Sequence, residues 1–140
     1  MHWLPIFLLA CGPSTPTVNA DAPTAASGEE APDMAPRTRI DIDIPEFASR
    51  HAAGPPIFDV RTTEEYNSGH IPGAVHLPLD QVTADHPALT PLDKTQPVYL
   101  VCAVGGRSAM AADRLASAGF HAVNVQGGTN GWKAAGHPVE

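Results

Sequence analysis

The chain has 140 residues, of which 43% are hydrophobic and 16% are charged, so it can form one folded domain and is too apolar to be wholly disordered. Its net charge of −7, with only 8 Lys and Arg, argues against a nucleic-acid partner. The two cysteines, Cys11 and Cys102, lie in such different contexts that a disulfide between them is not expected.

An apolar segment, residues 1–10, opens the chain and ends directly before Cys11. It is too short to span a bilayer as a mature helix and fits the apolar region of a signal peptide. Residues 8–11, Leu-Leu-Ala-Cys, resemble the bacterial lipobox, in which the cysteine becomes an acylated N-terminus. We therefore expect an exported lipoprotein, held by a lipid on Cys11 at the periplasmic face of a bacterial membrane. The residues before the apolar run, Met1 and His2, lack the usual Lys or Arg. A soluble periplasmic protein, or a cytosolic protein with an accidental apolar start, is therefore the alternative.

A segment rich in Pro, Ala, Ser and Thr follows the first cysteine. Between Gly12 and Pro36 it contains five prolines and no aromatic residue, so it cannot bury enough apolar area to offset its chain entropy. We expect residues 11–36 to be a disordered tether with a reach of roughly 25–30 Å. Residues 37–140 then form the folded domain.

Within this domain apolar runs alternate with helix-like segments. In chain order the predicted elements are a strand at Arg39–Ile42, a helix at Pro45–His51, a strand at Pro56–Val60, a helical turn at Thr62–Tyr66, a strand at Gly73–Leu77, a weak helix at Leu79–Asp85, a strand at Pro97–Val101, a helix at Ser108–Ala118, a strand at His121–Val125 and a final helix at Gly127–Ala135. The Thr62–Glu65 spacing is that of a capping box. The alternation predicts an α/β fold, with a central, mostly parallel sheet of about five strands and helices on both faces.

Cys102 directly follows the strongest strand signal, Pro97–Val101, so its thiol is expected at the carboxyl end of a parallel strand, where α/β sheets bind ligands. The loop from the cysteine into the next helix consists of Ala103, Val104, Gly105, Gly106, Arg107 and Ser108. Its glycines can turn successive N–H groups inward, and the helix N-terminus and Arg107 add positive potential. All three features favour a reactive thiolate. A lone cysteine at a strand end is commonly an inert core residue, but this loop favours a nucleophile.

Three groups of motifs resemble those of rhodanese domains. They are Asp59–Arg61 with Glu65–Ala74, the loop Val101–Ser108, and the C-terminal set Gln126–Gly128, Trp132 and Gly136–Val139. Two positions depart from the family pattern, because His76 stands where Asn is common and Gln126 where an aliphatic residue is common. The chain is similar to the exported, single-domain rhodaneses of bacteria, and the resemblance covers about residues 39–140.

The resemblance implies a rhodanese-like fold and a sulfurtransferase that needs no cofactor. Cys102 would take a sulfane sulfur from thiosulfate or a similar donor, hold it as a persulfide, and pass it to a thiol or to cyanide. The loop residues Ala103–Ser108 would bind the substrate, with Arg107 contacting the donor.

Other activities remain open beside this one. A carrier would receive its sulfur from a protein partner and hand it on without turnover. A phosphatase of the related cell-cycle type, or an arsenate reductase, would use the same fold. In those phosphatases five residues separate the cysteine from the arginine, whereas four separate Cys102 from Arg107, which favours sulfur over phosphate.

Four residues outside the loop are candidates for structural support: Asp59, Arg61, Glu65 and His70. We expect Arg61 to pair with Glu64 or Glu65, and His70 to bind loop backbone rather than act as a base. The histidines lack the spacing of metal ligands, so no metal site is predicted.

Overall fold

The computed structural model describes residues 35–140. The signal peptide predicted at residues 1–10, the lipidation predicted at Cys11 and nearly all of the tether lie outside these residues. Within residues 35–140, no helix has both the length and the apolar character needed to cross a membrane.

The described residues form a five-stranded parallel sheet flanked by helices. The elements are β1 (Ile40–Ile42), α1 (Ile44–His51), β2 (Ile57–Asp59), α2 (Thr63–Asn67), β3 (Ala74–His76), a short 3-10 turn (Leu79–Gln81), β4 (Pro97–Val101), α3 (Gly106–Ser117), β5 (His121–Val125) and α4 (Gly128–Ala134). The strand order is β1-β5-β4-β2-β3, and every neighbouring pair runs parallel. The predicted α/β fold is therefore confirmed.

The two faces of the sheet bury separate apolar clusters, as the alternation of side chains along β4 shows. Val98 and Leu100 point to the face covered by α3, whereas Tyr99 and Val101 point to the face covered by α1 and α4. Burial on both faces explains why β4 is a continuous apolar run. Cys102, one residue beyond β4, continues the alternation and belongs to the face of α3.

Most elements agree with their predicted bounds to within one residue at each end, and two differ by more. The weak helix predicted at Leu79–Asp85 is only the 3-10 turn, because Val82 adopts an extended conformation and its side chain enters the core. Helix α3 begins at Gly106, two residues earlier than predicted, because Gly105 takes a φ of 113° and its carbonyl already accepts the N–H of Ala109. The earlier start places Arg107 in the first turn of the helix.

Candidate active site

Cys102 lies at the carboxyl end of the central strand β4, between β2 and β5. Its side chain is only 1% exposed, and the backbone N–H of Gly105 donates to Sγ at 3.0 Å. The positive φ of Gly105 turns the chain back over the sulfur, a conformation that glycine adopts readily. The loop thus begins to surround Sγ with backbone donors, as the sequence predicts.

The start of α4 fixes the orientation of this loop. Three loop carbonyls accept hydrogen bonds from N–H groups there: Cys102 O from Thr129 at 2.7 Å, Ala103 O from Asn130 at 3.0 Å and Val104 O from Gly127 at 3.2 Å. In a trans peptide the carbonyl and the following N–H point in opposite directions. The N–H groups of Ala103, Val104 and Gly105 therefore point away from α4, and those of Val104 and Gly105 are directed to the sulfur.

Gly128 lets α4 approach the loop closely. A Cβ at this position would lie 2.2 Å from Cys102 O and 2.8 Å from Ala103 O, far inside contact distance. Gly128 also has a φ of +56°, which an L side chain rarely adopts. Any larger residue would push the active-site loop and α4 apart.

Burial and hydrogen bonding act on the Cys102 thiol in opposite directions. Burial raises its pKa. The Ser108 hydroxyl, in the orientation whose proton faces Sγ, and the N–H groups of Ser108, Gly105 and Val104 lower it, and the net result is a pKa below the usual value. The Ser108 hydroxyl takes part only when its proton faces Sγ, whereas the backbone donors are fixed. The thiolate is thus enriched at neutral pH.

Ser108 lies between the sulfur and a polar residue that the sequence analysis missed. Its Oγ is 3.4 Å from Cys102 Sγ and 2.6 Å from Asn124 Oδ1 on β5. Asn124 Nδ2 in turn donates to Asp41 Oδ1 at 2.8 Å, across the register pair that joins β1 to β5. The sequence signal that could have identified Asn124 is its place as a polar residue in an otherwise apolar strand. Its side chain is 3% exposed.

Arg107 is engaged by Glu65. Its Nη1 and Nη2 donate to the two carboxylate oxygens of Glu65 at 2.7 and 2.8 Å, and each side chain is about one-third exposed. The hydrogen bond from Arg107, helped by that from the Thr62 backbone, lowers the pKa of Glu65 to about 2. Glu65 also completes the predicted capping box of α2 with Thr62, so this carboxylate ties α2 to the first turn of α3.

Arg61 pairs with Asp59, and the prediction that it pairs with Glu64 or Glu65 is wrong. The guanidinium donates to both oxygens of Asp59 at 2.7–3.0 Å and to Gly69 O at 2.8 Å. Asp59 is fully buried and Arg61 is 4% exposed, so this is an internal ion pair. Glu65 is already held by Arg107, and Asp59 lies closer, at the end of β2.

His70 contacts backbone and an aromatic ring. Its Nδ1 is 3.1 Å from Tyr66 O, its ring stacks on Tyr66 at 3.9 Å, and its Nε2 is 3.5 Å from the Glu140 carboxylate. His76, a departure from the family pattern, binds Arg61 O at 2.9 Å through Nε2. His70 therefore ties the segment after α2 back to this helix, and His76 ties β3 to the residue before the cap of α2.

A cleft of about 330 Å³ opens beside the loop. Its lining residues are Val60, Arg61, Thr62, Pro78, Leu79, Asp80, Arg107 and Arg114. Arg107 belongs both to this cleft and to the loop around Cys102. Among residues 35–140, no group of three or more His, Cys, Asp and Glu side chains is arranged to hold a metal ion.

The fold and the site together define an α/β domain that holds one cysteine in a loop of inward-facing backbone donors at the end of its central strand. A family model described as the rhodanese-like domain matches residues 43–135. The chain belongs to this family, as its motifs predicted.

Several relatives and solved structures support the assignment. The chain is 33% identical over 87 residues to the thiosulfate sulfurtransferase PspE of Escherichia coli K12, a match that covers 62% of this chain and 78% of PspE. It is 42% identical over 77 residues to YrkF of Bacillus subtilis, named as a sulfur carrier protein, covering 54% of this chain and 40% of YrkF. The solution structure of a rhodanese-like domain from Anabaena superposes with a TM-score of 0.63 at 34% identity, covering 71% of this chain and 77% of that one. The chain thus spans less than half of YrkF, and its relatives include sulfurtransferases.

Proposed function

We propose that the protein is a sulfurtransferase that moves a sulfane sulfur from thiosulfate or a similar donor to an acceptor through a persulfide on Cys102. The observation that carries this proposal is the Gly105 N–H donating to Cys102 Sγ at 3.0 Å, in a loop whose carbonyls are held by α4. Backbone donors fixed in this way stabilise negative charge on sulfur without reorganising. The sequence relationship to PspE supports the choice of thiosulfate.

The reaction consists of two displacements at sulfur. The Cys102 thiolate attacks the outer sulfur of thiosulfate, the S–S bond of the donor breaks, and sulfite leaves with the bonding electron pair. Cys102 then carries Sγ–S⁻, and the added sulfur is the atom that the inward N–H groups can stabilise. An acceptor thiolate or cyanide attacks this outer sulfur, the new S–S bond breaks, and the Cys102 thiolate is restored.

Mass spectrometry of the full chain tests the first displacement. The reduced protein is exposed to thiosulfate, and the tryptic peptide Thr95–Arg107, which contains Cys102, is examined for one added sulfur atom. We expect the added sulfur on this peptide in the native chain and in Cys11→Ser, and none in Cys102→Ala. A native chain that gains no sulfur on this peptide would contradict thiosulfate as the donor.

One observation favours a second candidate, the sulfur carrier fed by a protein partner. Arg107, the expected contact of an anionic donor, has both its terminal nitrogens on Glu65, which neutralises its charge. YrkF, which the chain resembles over 77 residues, is named as a sulfur carrier. A carrier would load rapidly from an organic persulfide such as cysteine persulfide and slowly from thiosulfate, and comparison of the two loading rates separates the candidates.

A phosphatase on the same fold is tested with an aryl phosphate. The sulfurtransferase proposal expects no hydrolysis that depends on Cys102, because helix α3 begins only four residues after this cysteine. Hydrolysis by the native chain that disappears in Cys102→Ser would support the phosphatase instead.

Export and lipidation belong to the same proposal and are supported by the lipobox-like residues 8–11 and the Pro-rich segment after them. Expression in a bacterial host supplied with labelled palmitate tests both. The native chain is expected in the membrane fraction with label, and Cys11→Ser without it. An unlabelled native chain in the soluble fraction would contradict lipidation and support the soluble periplasmic or the cytosolic protein instead.

A further inference from the structure

The hydroxyl of Ser108 has one proton and two acceptors within reach. Cys102 Sγ lies 3.4 Å from Ser108 Oγ, whereas Asn124 Oδ1 lies at 2.6 Å. The shorter contact to an oxygen is the stronger hydrogen bond, so the proton is expected on the side of Asn124. All three side chains are at most 3% exposed, which leaves little room for water to supply a substitute.

The orientation of the Asn124 amide decides this contact, and Asp41 determines that orientation. An ionised carboxylate only accepts hydrogen bonds, so the end of the amide that faces Asp41 must be the NH₂ group. Hydrogen bonds from Asn124 and Arg39 hold the pKa of Asp41 below its usual value, which keeps the carboxylate ionised. A flipped amide would set two acceptors 2.8 Å apart with no proton between them.

We propose that Asn124, oriented by Asp41, is a positioning residue that accepts the single hydroxyl proton of Ser108 and so keeps this proton away from Cys102 Sγ. Ser108 then presents lone pairs to the sulfur. It can accept an S–H proton but gives no hydrogen bond to the thiolate, whose stabilisation is left to the backbone N–H groups. The consequence is a thiolate that is less stabilised, and therefore more nucleophilic, than one that also receives the hydroxyl proton. This inference deepens the proposed function, since it concerns the nucleophile of that reaction.

The charged groups around the sulfur lie on other elements. Arg107 on α3 acts on Cys102 and is paired with Glu65, and Asp59 acts on Arg107 from the end of β2. Asp41 is bound to Arg39, which also holds Asp113 of α3. The Asn124 and Ser108 variants leave all of these charges in place, so their effect on Cys102 passes through Ser108.

Removal of the competing acceptor tests the proposal. In Asn124→Ala the Ser108 proton is free to turn to Sγ, which we expect to lower the pKa of Cys102 by about one unit. Because a less basic thiolate is a weaker nucleophile, the alkylation rate at high pH should fall about threefold at the same time. The measurement is the pH profile of iodoacetamide alkylation in the full chain, followed on the peptide Thr95–Arg107 so that Cys11 does not contribute.

A second pair of variants separates this mechanism from a structural role. In the Ser108→Ala background, Asn124→Ala should leave the pH profile unchanged, because no hydroxyl proton remains to be redirected. Asp41→Asn, which frees the amide to flip without deleting it, should also lower the pKa of Cys102. Because it removes a negative charge as well, the part of its effect that disappears in the Ser108→Ala background is the part assigned to Ser108, and this comparison decides the matter if Asn124→Ala does not fold. Asp93→Asn, the same change in an exposed carboxylate that binds Thr95, is the matched control and should have no effect.

Either folded variant with an unchanged or raised pKa of Cys102 would overturn the proposal, and so would an Asn124→Ala effect that persists without the Ser108 hydroxyl. Circular dichroism over the same pH range confirms folding. Alkylation does not depend on sulfur transfer. A chain that shows these shifts but takes no sulfur from thiosulfate would keep the Asn124 assignment and reject the proposed donor.

Discussion

The Glu65 carboxylate serves two partners, and this dual role governs the charge at the mouth of the site. It caps α2 and accepts hydrogen bonds from both terminal nitrogens of Arg107. The guanidinium therefore presents little net positive charge to an incoming anion. Arg61 is likewise neutralised by Asp59, inside the domain. The site therefore stabilises negative charge on sulfur chiefly through backbone N–H groups, which carry no net charge.

Glu65→Gln is expected to improve the use of thiosulfate as donor. Gln keeps the capping box but removes the negative charge, so Arg107 gains attraction for a dianion. Because the pair is about one-third exposed, kcat/KM for thiosulfate should rise only roughly two- to fivefold at low salt, and the gain should shrink at high ionic strength. Steady-state kinetics at two salt concentrations measure this. Glu64→Gln, a neighbouring charge on the same helix, is the control, and equal gains in both variants would refute a specific role for Glu65.

At the scale of the elements, α4 supports the loop through backbone contacts. Its N–H groups bind three consecutive loop carbonyls, and Gly128 allows the approach. The sequence identified the Gly127-Gly128 motif only by resemblance, because its physical reason is a contact between segments 26 residues apart. The start of α3 at Gly106 differs from the predicted start at Ser108 for a similar reason, since the positive φ of Gly105 depends on how α4 and the sulfur hold the loop.

Gly128→Ala is expected to destabilise the protein and to slow the loading of Cys102. The new Cβ would lie 2.2 Å from Cys102 O, so the loop or α4 must move, at a total cost above about 3 kcal/mol. Gly136→Ala is a matched control, because Gly136 also has positive φ, +83°, but a Cβ there meets open space. It should lose only about 1–2 kcal/mol and load sulfur normally. Urea unfolding measures the free energy of unfolding, and the rate of sulfur gain from thiosulfate measures the loading of Cys102. Normal loading by folded Gly128→Ala would contradict this account.

For the whole molecule, local sequence signals predicted most of the architecture. The continuous apolar run of β4 and the capping box at Thr62 are local features, and the parallel α/β sheet follows from the alternation of strand-like and helix-like segments along the chain. The polar path from Ser108 through Asn124 to Asp41 was not predictable in this way. It depends on the register of β1 against β5, two strands separated by most of the domain. The same holds for the choice of Asp59 rather than Glu65 as the partner of Arg61.

The Glu65–Arg107 pair also makes the stability of the domain fall as the pH becomes acidic. Folding lowers the pKa of Glu65 to about 2, below its value near 4.3 in an unfolded chain, so the unfolded state binds more protons between these values. The contribution of the pair is therefore complete above about pH 4.5 and is lost as pH falls through about 2. Because both groups are about one-third exposed, it should not exceed about 1 kcal/mol. Urea unfolding of the native chain and Glu65→Gln at pH 7, 4 and 3 should show a difference in unfolding free energy that is largest at pH 7 and smallest at pH 3, whereas a difference that is constant over this range would show that the ion pair does not contribute.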